Sequence, residues 1–248
     1  MTAKELTGKV AIVTGAGRNI GRAIALALAE GGAAVIVNAR ANRAEAEAVV
    51  REIEAKGGRA LAALADVADA AAVERMVAAG AARFGRLDFL VNNAALRRET
   101  PLERMEFAEW REILGSVLDG AFNCTKACLP HLRQSGAGAV VNIGGLSAHT
   151  GAKHRLHVVT AKSGLVGFTR ALSKDLAGDN VTVNCVSPGL IEAPRSGAEP
   201  QHHQTRQTLS GRRGAPTDVA AMVRYLCGPA ARYITDQTLH VNGGAFLG

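Results

Sequence analysis

A glycine cluster follows the first apolar run of the chain: Thr14-Gly15-Ala16-Gly17-Arg18-Asn19-Ile20-Gly21. Glycines at a strand-to-helix turn let backbone N–H groups approach a pyrophosphate, and the helix N-terminus adds a favourable dipole. Gly15, Arg18, Asn19, Ile20 and Gly21 are the candidate contacts. A glycine triplet alone would suit any tight turn; its place after the first strand is what gives it meaning. The second apolar run ends Val37-Asn38-Ala39-Arg40. A carboxylate there would accept hydrogen bonds from an adenosine ribose and repel a 2′-phosphate. None is present, and Arg18 and Arg40 offer the forked donors that suit a phosphate. The pattern points to NADP(H) rather than NAD(H). Arg40 as a solvated surface charge is the competing reading, and it leaves the missing acid unexplained.

A second chemistry-bearing stretch runs from Ser147 to Lys162 and holds His149, His154 and His157. Imidazole donates or accepts a proton near neutral pH. Ser147 and His149 read as loop residues able to turn inward. A surface or interface role is the plainer reading for any one of these histidines.

Elements of α/β type must position these groups. Short apolar runs at Val10–Val13, Ala33–Val37, Arg59–Leu64, Leu87–Val91, Ala139–Ile143, Val181–Val186 and Gln237–Val241 read as seven strands. They are continuously apolar rather than alternating, as strands buried on both faces are. Helix-length segments lie between them, at Ile20–Glu30, Ala44–Lys56, Ala70–Phe84, Leu156–Leu176 and Pro216–Leu226, with room for two helices in Leu102–Gly136. The alternation predicts a doubly wound parallel sheet with right-handed crossovers. No linker or repeat divides residues 1–248, so one domain is expected. The polar stretch Ala193–Gly214 is too long for a routine connection and reads as a lid over a site.

Composition narrows the function classes. Of 248 residues, 48% are apolar and 21% charged, which excludes whole-chain disorder. No apolar run is long enough to span a membrane, and the first residues do not read as a secretory leader. Cys124, Cys128, Cys185 and Cys227 lack metal-ligand spacing and read as buried thiols of a reducing cytoplasm; no metal site is expected. The net charge is +7. The arginines are dispersed and no basic-aromatic motif accompanies them, which argues against nucleic acid.

The ordered motifs resemble the short-chain dehydrogenase/reductase family, close to β-ketoacyl-ACP-reductase-like members, over the whole length. The matching marks are Thr14–Gly21, Asp66-Val67, Asn92-Asn93-Ala94, Lys162-Ser163-Gly164, Pro188-Gly189 and Val241-Asn242-Gly243-Gly244. The resemblance implies a Rossmann-type seven-stranded sheet and a homotetramer. It also implies adenine contacts at Asp66 and Val67, and further cofactor contacts at Asn93, Ala94, Pro188, Gly189 and Ile191. It implies that Lys162 hydrogen-bonds the nicotinamide ribose.

The resemblance breaks at the chemistry. Such enzymes use a Tyr four residues before the Lys, a Ser thirteen before the Tyr, and an Asn on the preceding long helix. Here those positions hold Val158, Gly145 and Val117, and the Thr usually found after Pro-Gly is Ala193. Hydride delivery to a ketone builds negative charge on oxygen, and a donor must meet it there. Val and Gly cannot. Lys162, Ser147, His149 and His157 are the remaining candidates for catalysis. His157 adjoins the vacant Tyr position, but neighbours on a helix point about 100° apart, so it should not simply replace the Tyr.

Three functions stay open. The first is hydride transfer to a carbonyl, imine or activated C=C without the Tyr acid. The second is a redox-inactive NADP(H)-binding relative acting as sensor or assembly partner. The third is hydrolase or lyase chemistry on the same frame. Arg97-Arg98, together with four arginines against one glutamate in the lid, would favour a small anionic substrate; solvated side chains, or pairing across subunits, are the plainer reading.

Overall fold

The computed structural model describes residues 4–192 and 208–246. Its strands are β1 Val10–Val13, β2 Ala34–Ala39, β3 Arg59–Leu64, β4 Phe89–Asn92, β5 Ala139–Ile143, β6 Thr182–Pro188 and β7 Thr238–Val241. They form one sheet in the order β3-β2-β1-β4-β5-β6-β7, and every neighbouring pair is parallel. This is the expected Rossmann-type doubly wound sheet.

The helices are α1 Asn19–Glu30, α2 Arg43–Ala55, α3 Ala70–Phe84, α4 Phe107–Leu114, α5 Gly120–Gln134, α6 Ser147–Thr150, α7 Leu156–Asp175 and α8 Pro216–Cys227. They cover both faces, which is why the central strands are buried at every position. In β1, Ala11 and Val13 face the core under α1, α2 and α8. Val10 and Ile12 face the core under α3 and α5. Only the edge strands β3 and β7 are partly exposed.

The segment 102–136 departs from a simple pair of helices. α4 and α5 are joined by a π-helical turn at Gly115–Asp119, which carries the buried Val117. Widened turns of this kind often mark functional positions. Here the turn persists although Val117 stands at the position of the expected Asn. Of the expected lid, residues 193–207 lie outside the described residues. Its end is tied back by a parallel bridge between Ile191 and Gly214.

The order of strands fixes where a ligand can sit. The chain winds outward from β1 to β3 and returns beside β1 as β4, so a crevice opens beyond the carboxyl ends of β1 and β4. Both the glycine turn and Asn92–Ala95 end there. Beneath it a buried amide chain fixes β4, β5 and α7. Asn92 donates to Asn142 Oδ1 at 2.9 Å, and the Asn142 amide donates to Thr169 Oγ1 at 2.9 Å.

Candidate active site

The glycine turn is held by its neighbours rather than by its own contacts. Gly15 has φ +61°, and a Cβ there would stand 3.0 Å from Ala94 Cα. At Gly21 a Cβ would collide with the Gly15 carbonyl and lie 2.5 Å from Asn93 Nδ2. Asn93 donates its side-chain amide to the carbonyls of Thr14 at 2.8 Å and Gly15 at 3.0 Å. Thr14 Oγ1 accepts the Asn93 N–H at 2.9 Å and the Ala94 N–H at 3.0 Å. Asn93 and Ala94 thus shape the cradle itself.

Asn38 has a role the sequence did not reveal. It is 1% exposed. Its Oδ1 accepts the Gly15 N–H at 3.1 Å, and its Nδ2 donates to the Ala65 carbonyl at 3.0 Å. The end of β2 is therefore spent on fixing the turn, and no acid faces the crevice from it.

The helix that begins at the cradle is left uncapped. No side chain caps α1, and its first turn holds no acid. By contrast, Asn42 caps α2 by accepting the Glu45 N–H at 3.2 Å, and Asp69 caps α3 by accepting the Ala72 N–H at 3.1 Å. Free N–H groups at the end of α1, beside glycines no Cβ could replace, fit a dinucleotide pyrophosphate.

Arg18 is exposed at the start of α1. Arg40 is also exposed and lies 3.5 Å from Glu112 Oε1. Glu112 is held more closely by Arg98, at 2.5 Å, so its hold on Arg40 is the weaker one. Asp66 accepts the Ala68 N–H at 3.0 Å, and the Val67 carbonyl accepts from Asn123 at 3.0 Å. Both lie beyond β3, on the arm of the crevice reached from β2.

At the other end a cleft is lined by Arg97, Gly145, Ser147, Arg155, Val158 and Lys162. Ile20 closes it from α1, and Pro188–Ile191 from the end of β6. Gly189 is needed there because a Cβ would stand 2.6 Å from Asn242 Cα. A Cβ on Gly145 would meet nothing within 4 Å. Val158 is 2% exposed, and Lys162 is 3% exposed. Lys162 Nζ donates to the Ile143 carbonyl at 2.5 Å. Burial pulls its ammonium down to about 7, and the cations Arg97 and Arg155 push the same way.

Two histidine candidates are absent from this cleft. His157 is fully buried, and its Nε2 pairs with Glu109 Oε1 at 2.8 Å on α4. The helical turn of about 100° between it and Val158 carries it to that side. His149 packs against His240, with ring centroids 4.7 Å apart, and stacks on Phe246 at 5.4 Å. Desolvation lowers the affinity of both His149 and His240 for a proton. Of the four catalytic candidates, the fold brings Lys162 and Ser147 to the cleft and turns His149 and His157 elsewhere.

Arg155 was missed as a site residue. Its signal lay in its place, because it stands immediately before α7 and three residues ahead of Val158. A larger cavity of about 560 Å³ adjoins the cleft through Leu190 and Ile191 and runs under Met222, Tyr225 and His240. It does not reach Lys162, so the site belongs to the smaller cleft. Among the described residues, no group of three or more His, Cys, Asp or Glu could hold a metal ion. No helix among them is long and apolar enough to cross a membrane.

Comparison with known proteins agrees with this geometry. A family model described as enoyl-(acyl carrier protein) reductase matches residues 15–245. The chain is 40% identical over 242 residues to the 3-oxoacyl-[acyl-carrier-protein] reductase FabG of Staphylococcus aureus, covering 96% of this chain and 98% of that one. It is 42% identical over 247 residues to the 3-oxoacyl-[acyl-carrier-protein] reductase of Synechocystis, covering 98% of each. A crystal structure of a dehydrogenase/reductase from Sinorhizobium meliloti superposes with a TM-score of 0.93 at 35% identity, covering 99% of this chain and 98% of that one. A short-chain dehydrogenase from Burkholderia cenocepacia in complex with NADP superposes at 0.91 and 35% identity, covering 97% and 99%. With the sheet order, the glycine cradle and these matches in agreement, the chain belongs to the short-chain dehydrogenase/reductase family of oxidoreductases.

Proposed function

We propose that this protein is an NADP(H)-dependent oxidoreductase that acts on a small, anionic substrate without a tyrosine acid. The observation that carries the reading is the cleft wall. Val158 and Gly145 stand where the resembling enzymes carry Tyr and Ser, and the polar groups beside them are Lys162, Ser147, Arg97 and Arg155.

The residues present fit the cofactor. Gly15, Asn19, Ile20 and Gly21 would hold the pyrophosphate at the uncapped start of α1. Arg18 and Arg40 would take the 2′-phosphate, Arg40 leaving its weak contact with Glu112. Asp66 and Val67 would border the adenine. Asn93, Ala94, Pro188, Gly189 and Ile191 would border the nicotinamide half, with Lys162 at the ribose. A solved relative at 35% identity in complex with NADP supports this assignment. The cofactor, when bound, supplies a hydride to an electrophilic carbon.

The chain's own residues set what that carbon can be. A neutral ketone needs a donor where negative charge grows on oxygen, and Val158 offers none. A protonated imine already carries its positive charge, so hydride transfer neutralises charge instead of building it. An activated C=C or a carbonyl served by another donor is also compatible. The apolar side chains of Ile20, Leu146, Val158 and Leu190 line the same space. A single domain over residues 1–248, a cytoplasmic location and a homotetramer belong to the same reading. Exposed Leu102, Phe107, Phe122 and Leu156 supply apolar surface for subunit contact.

A substrate panel followed at the absorbance of the reduced nicotinamide tests the reading. Turnover of an imine, enone or activated carbonyl is expected. Tight NADPH binding with no turnover of any class would overturn it and favour the second reading, a redox-inactive NADP(H)-binding protein, which the loss of Tyr and Ser also suits.

A further inference from the structure

Four described side chains that line the cleft carry a hydrogen-bond donor: Arg97, Arg155, Ser147 and Lys162. They differ in whether they can part with a proton. A guanidinium is not deprotonated in proteins, and Arg97 and Arg155 have interactions of their own. A serine hydroxyl is too weak an acid near neutral pH. Lys162 is the one that can give a proton up and take it back.

Its position suits that work. Lys162 is 3% exposed. It follows Val158 by four residues, so both side chains share one face of α7. Of its three N–H donors, one goes to the Ile143 carbonyl at 2.5 Å. A second would meet the nicotinamide ribose in the reading above, which leaves the third for the cleft. Val158 offers no polar group to stand between, and a Cβ on Gly145 would meet nothing within 4 Å. A substrate heteroatom can therefore come down to Nζ itself.

Charge selects that heteroatom. A ready-made iminium entering beside a buried ammonium would be repelled. An imine nitrogen that arrives neutral and takes the Lys162 proton leaves the number of charges unchanged. A ketone oxygen is far too weak a base to take that proton before hydride arrives.

We propose that this cleft takes an imine whose nitrogen arrives unprotonated, and that Lys162 is the catalytic acid that protonates it. The proposal rests on the oxidoreductase reading above. An Nζ–H bond of Lys162 breaks and an N–H bond forms on the imine, which moves the positive charge to the substrate. Hydride adds to the carbon, and its electron pair forms the new C–H bond. The π pair of C=N becomes the lone pair of the product amine. The substrate carbon is reduced, the dihydronicotinamide is oxidised, and the neutral Lys162 amine regains a proton from water.

Burial brings the Lys162 ammonium down to about 7, where donor and acceptor forms coexist. The titratable and charged groups that face it are Arg97, Arg155 and Cys185. The Cys185 thiol is itself pushed up to about 11 by burial, so it stays neutral across the relevant range.

The probes 2-methyl-1-pyrroline and cyclopentanone present a C=N and a C=O in five-membered rings of similar size. Calorimetry on the NADP-loaded full chain should find the imine bound at least about tenfold more tightly than the ketone. With NADPH, the imine should be reduced and the ketone should not, and kcat/KM for the imine should fall as pH rises through about 7. Lys162→Met removes the proton, and Lys162→Arg keeps the charge but cannot release one. With NADPH held saturating by each variant's own measured affinity, both should lower kcat for the imine by at least about 100-fold and abolish the fall with pH. Should the Lys162→Met chain not fold, Lys162→Arg alone decides. Imine reduction undiminished in the variants, as an iminium drawn from solution would give, overturns the proposal, and so does equal binding of the two probes. If an enone or activated carbonyl is reduced and the imine is not, the imine assignment fails and the oxidoreductase reading stands. If the imine binds as expected but no substrate class accepts hydride, the oxidoreductase reading fails and the proposal with it.

Discussion

His157 Nε2 and Glu109 Oε1 lie 2.8 Å apart, joining the start of α7 to α4 directly behind the cleft. His157 Nδ1 accepts the Val158 N–H at 2.9 Å, so the ring proton sits on Nε2 and points at Glu109. Thr100 donates to the same carboxylate oxygen at 2.6 Å. The imidazole thus holds the Val158 backbone, and the Glu109 carboxylate it pairs with also holds Thr100, three residues after Arg97.

Replacing His157 should therefore act on stability first. His157→Ala empties a fully buried site and removes two hydrogen bonds, which should cost about 2–4 kcal/mol. Glu109 is held below the usual carboxylate range by its bond from Thr100, then by His157. A lowered carboxylate contributes stability above its unfolded value and loses it as pH falls through the folded one. Urea melts should show the wild-type advantage over Glu109→Gln at neutral pH and its loss as pH falls below the ordinary carboxylate value of 4.5. An advantage that persists in acid would contradict the pairing.

Gly21→Ala should fail at the cradle. Its Cβ would press on the Gly15 carbonyl and on Asn93, and backbone cannot yield there as a flexible side chain could. Nucleotide binding, followed by quenching or enhancement of NADPH fluorescence, should weaken by at least about tenfold, a loss of about 1.4 kcal/mol. Full affinity in this variant would remove the glycine turn from the site.

Arg40→Ala should separate the two nicotinamide cofactors. Losing one charge-assisted contact to a 2′-phosphate should weaken NADPH by about tenfold and leave NADH nearly unchanged. Equal losses for both cofactors would place Arg40 away from the 2′ position.

Lys162 predicts two opposite pH trends. Its folded value near 7 lies below the ordinary lysine value of 10.5, so the unfolded chain binds more protons between them. Stability should rise with pH from about 7 to about 8.5, and Lys162→Met should lose that rise. Reduction needs the ammonium form, so kcat/KM should instead fall as pH rises through about 7. A kcat/KM that climbs across this range would exclude Lys162 as the donor.

Much of this molecule was legible in its residues. The seven strands were readable because a parallel sheet under helices on both faces demands apolar residues at every strand position, as in Val10–Val13. The glycine turn was readable because its glycines follow the first strand, and a Cβ at Gly15 or Gly21 would press on neighbouring backbone. That Val158 and Lys162 line one cleft was readable because four residues on a helix bring two side chains to the same face. The histidine placements were not. Whether His149 turns inward depends on His240 and Phe246, some ninety residues later in the chain, and no local pattern encodes that meeting. The role of Asn38 was hidden for a similar reason, since its partners come from the ends of β1 and β3. Arg155 was hidden because it stands just before α7, in a stretch read for its histidines.

The central claim is hydride transfer from NADPH without a tyrosine at position 158. The direct measurement uses NADPH deuterated at the transferring carbon, offered with a 2-oxo acid, a 2-imino acid, an enone and a neutral ketone. Mass spectrometry of the products reads the label. One deuterium should appear on carbon in at least one activated product and not in the alcohol of the neutral ketone, and Val158→Tyr with Gly145→Ser should bring label into that alcohol. Absence of deuterium from every product, with NADPH demonstrably bound, would contradict the account.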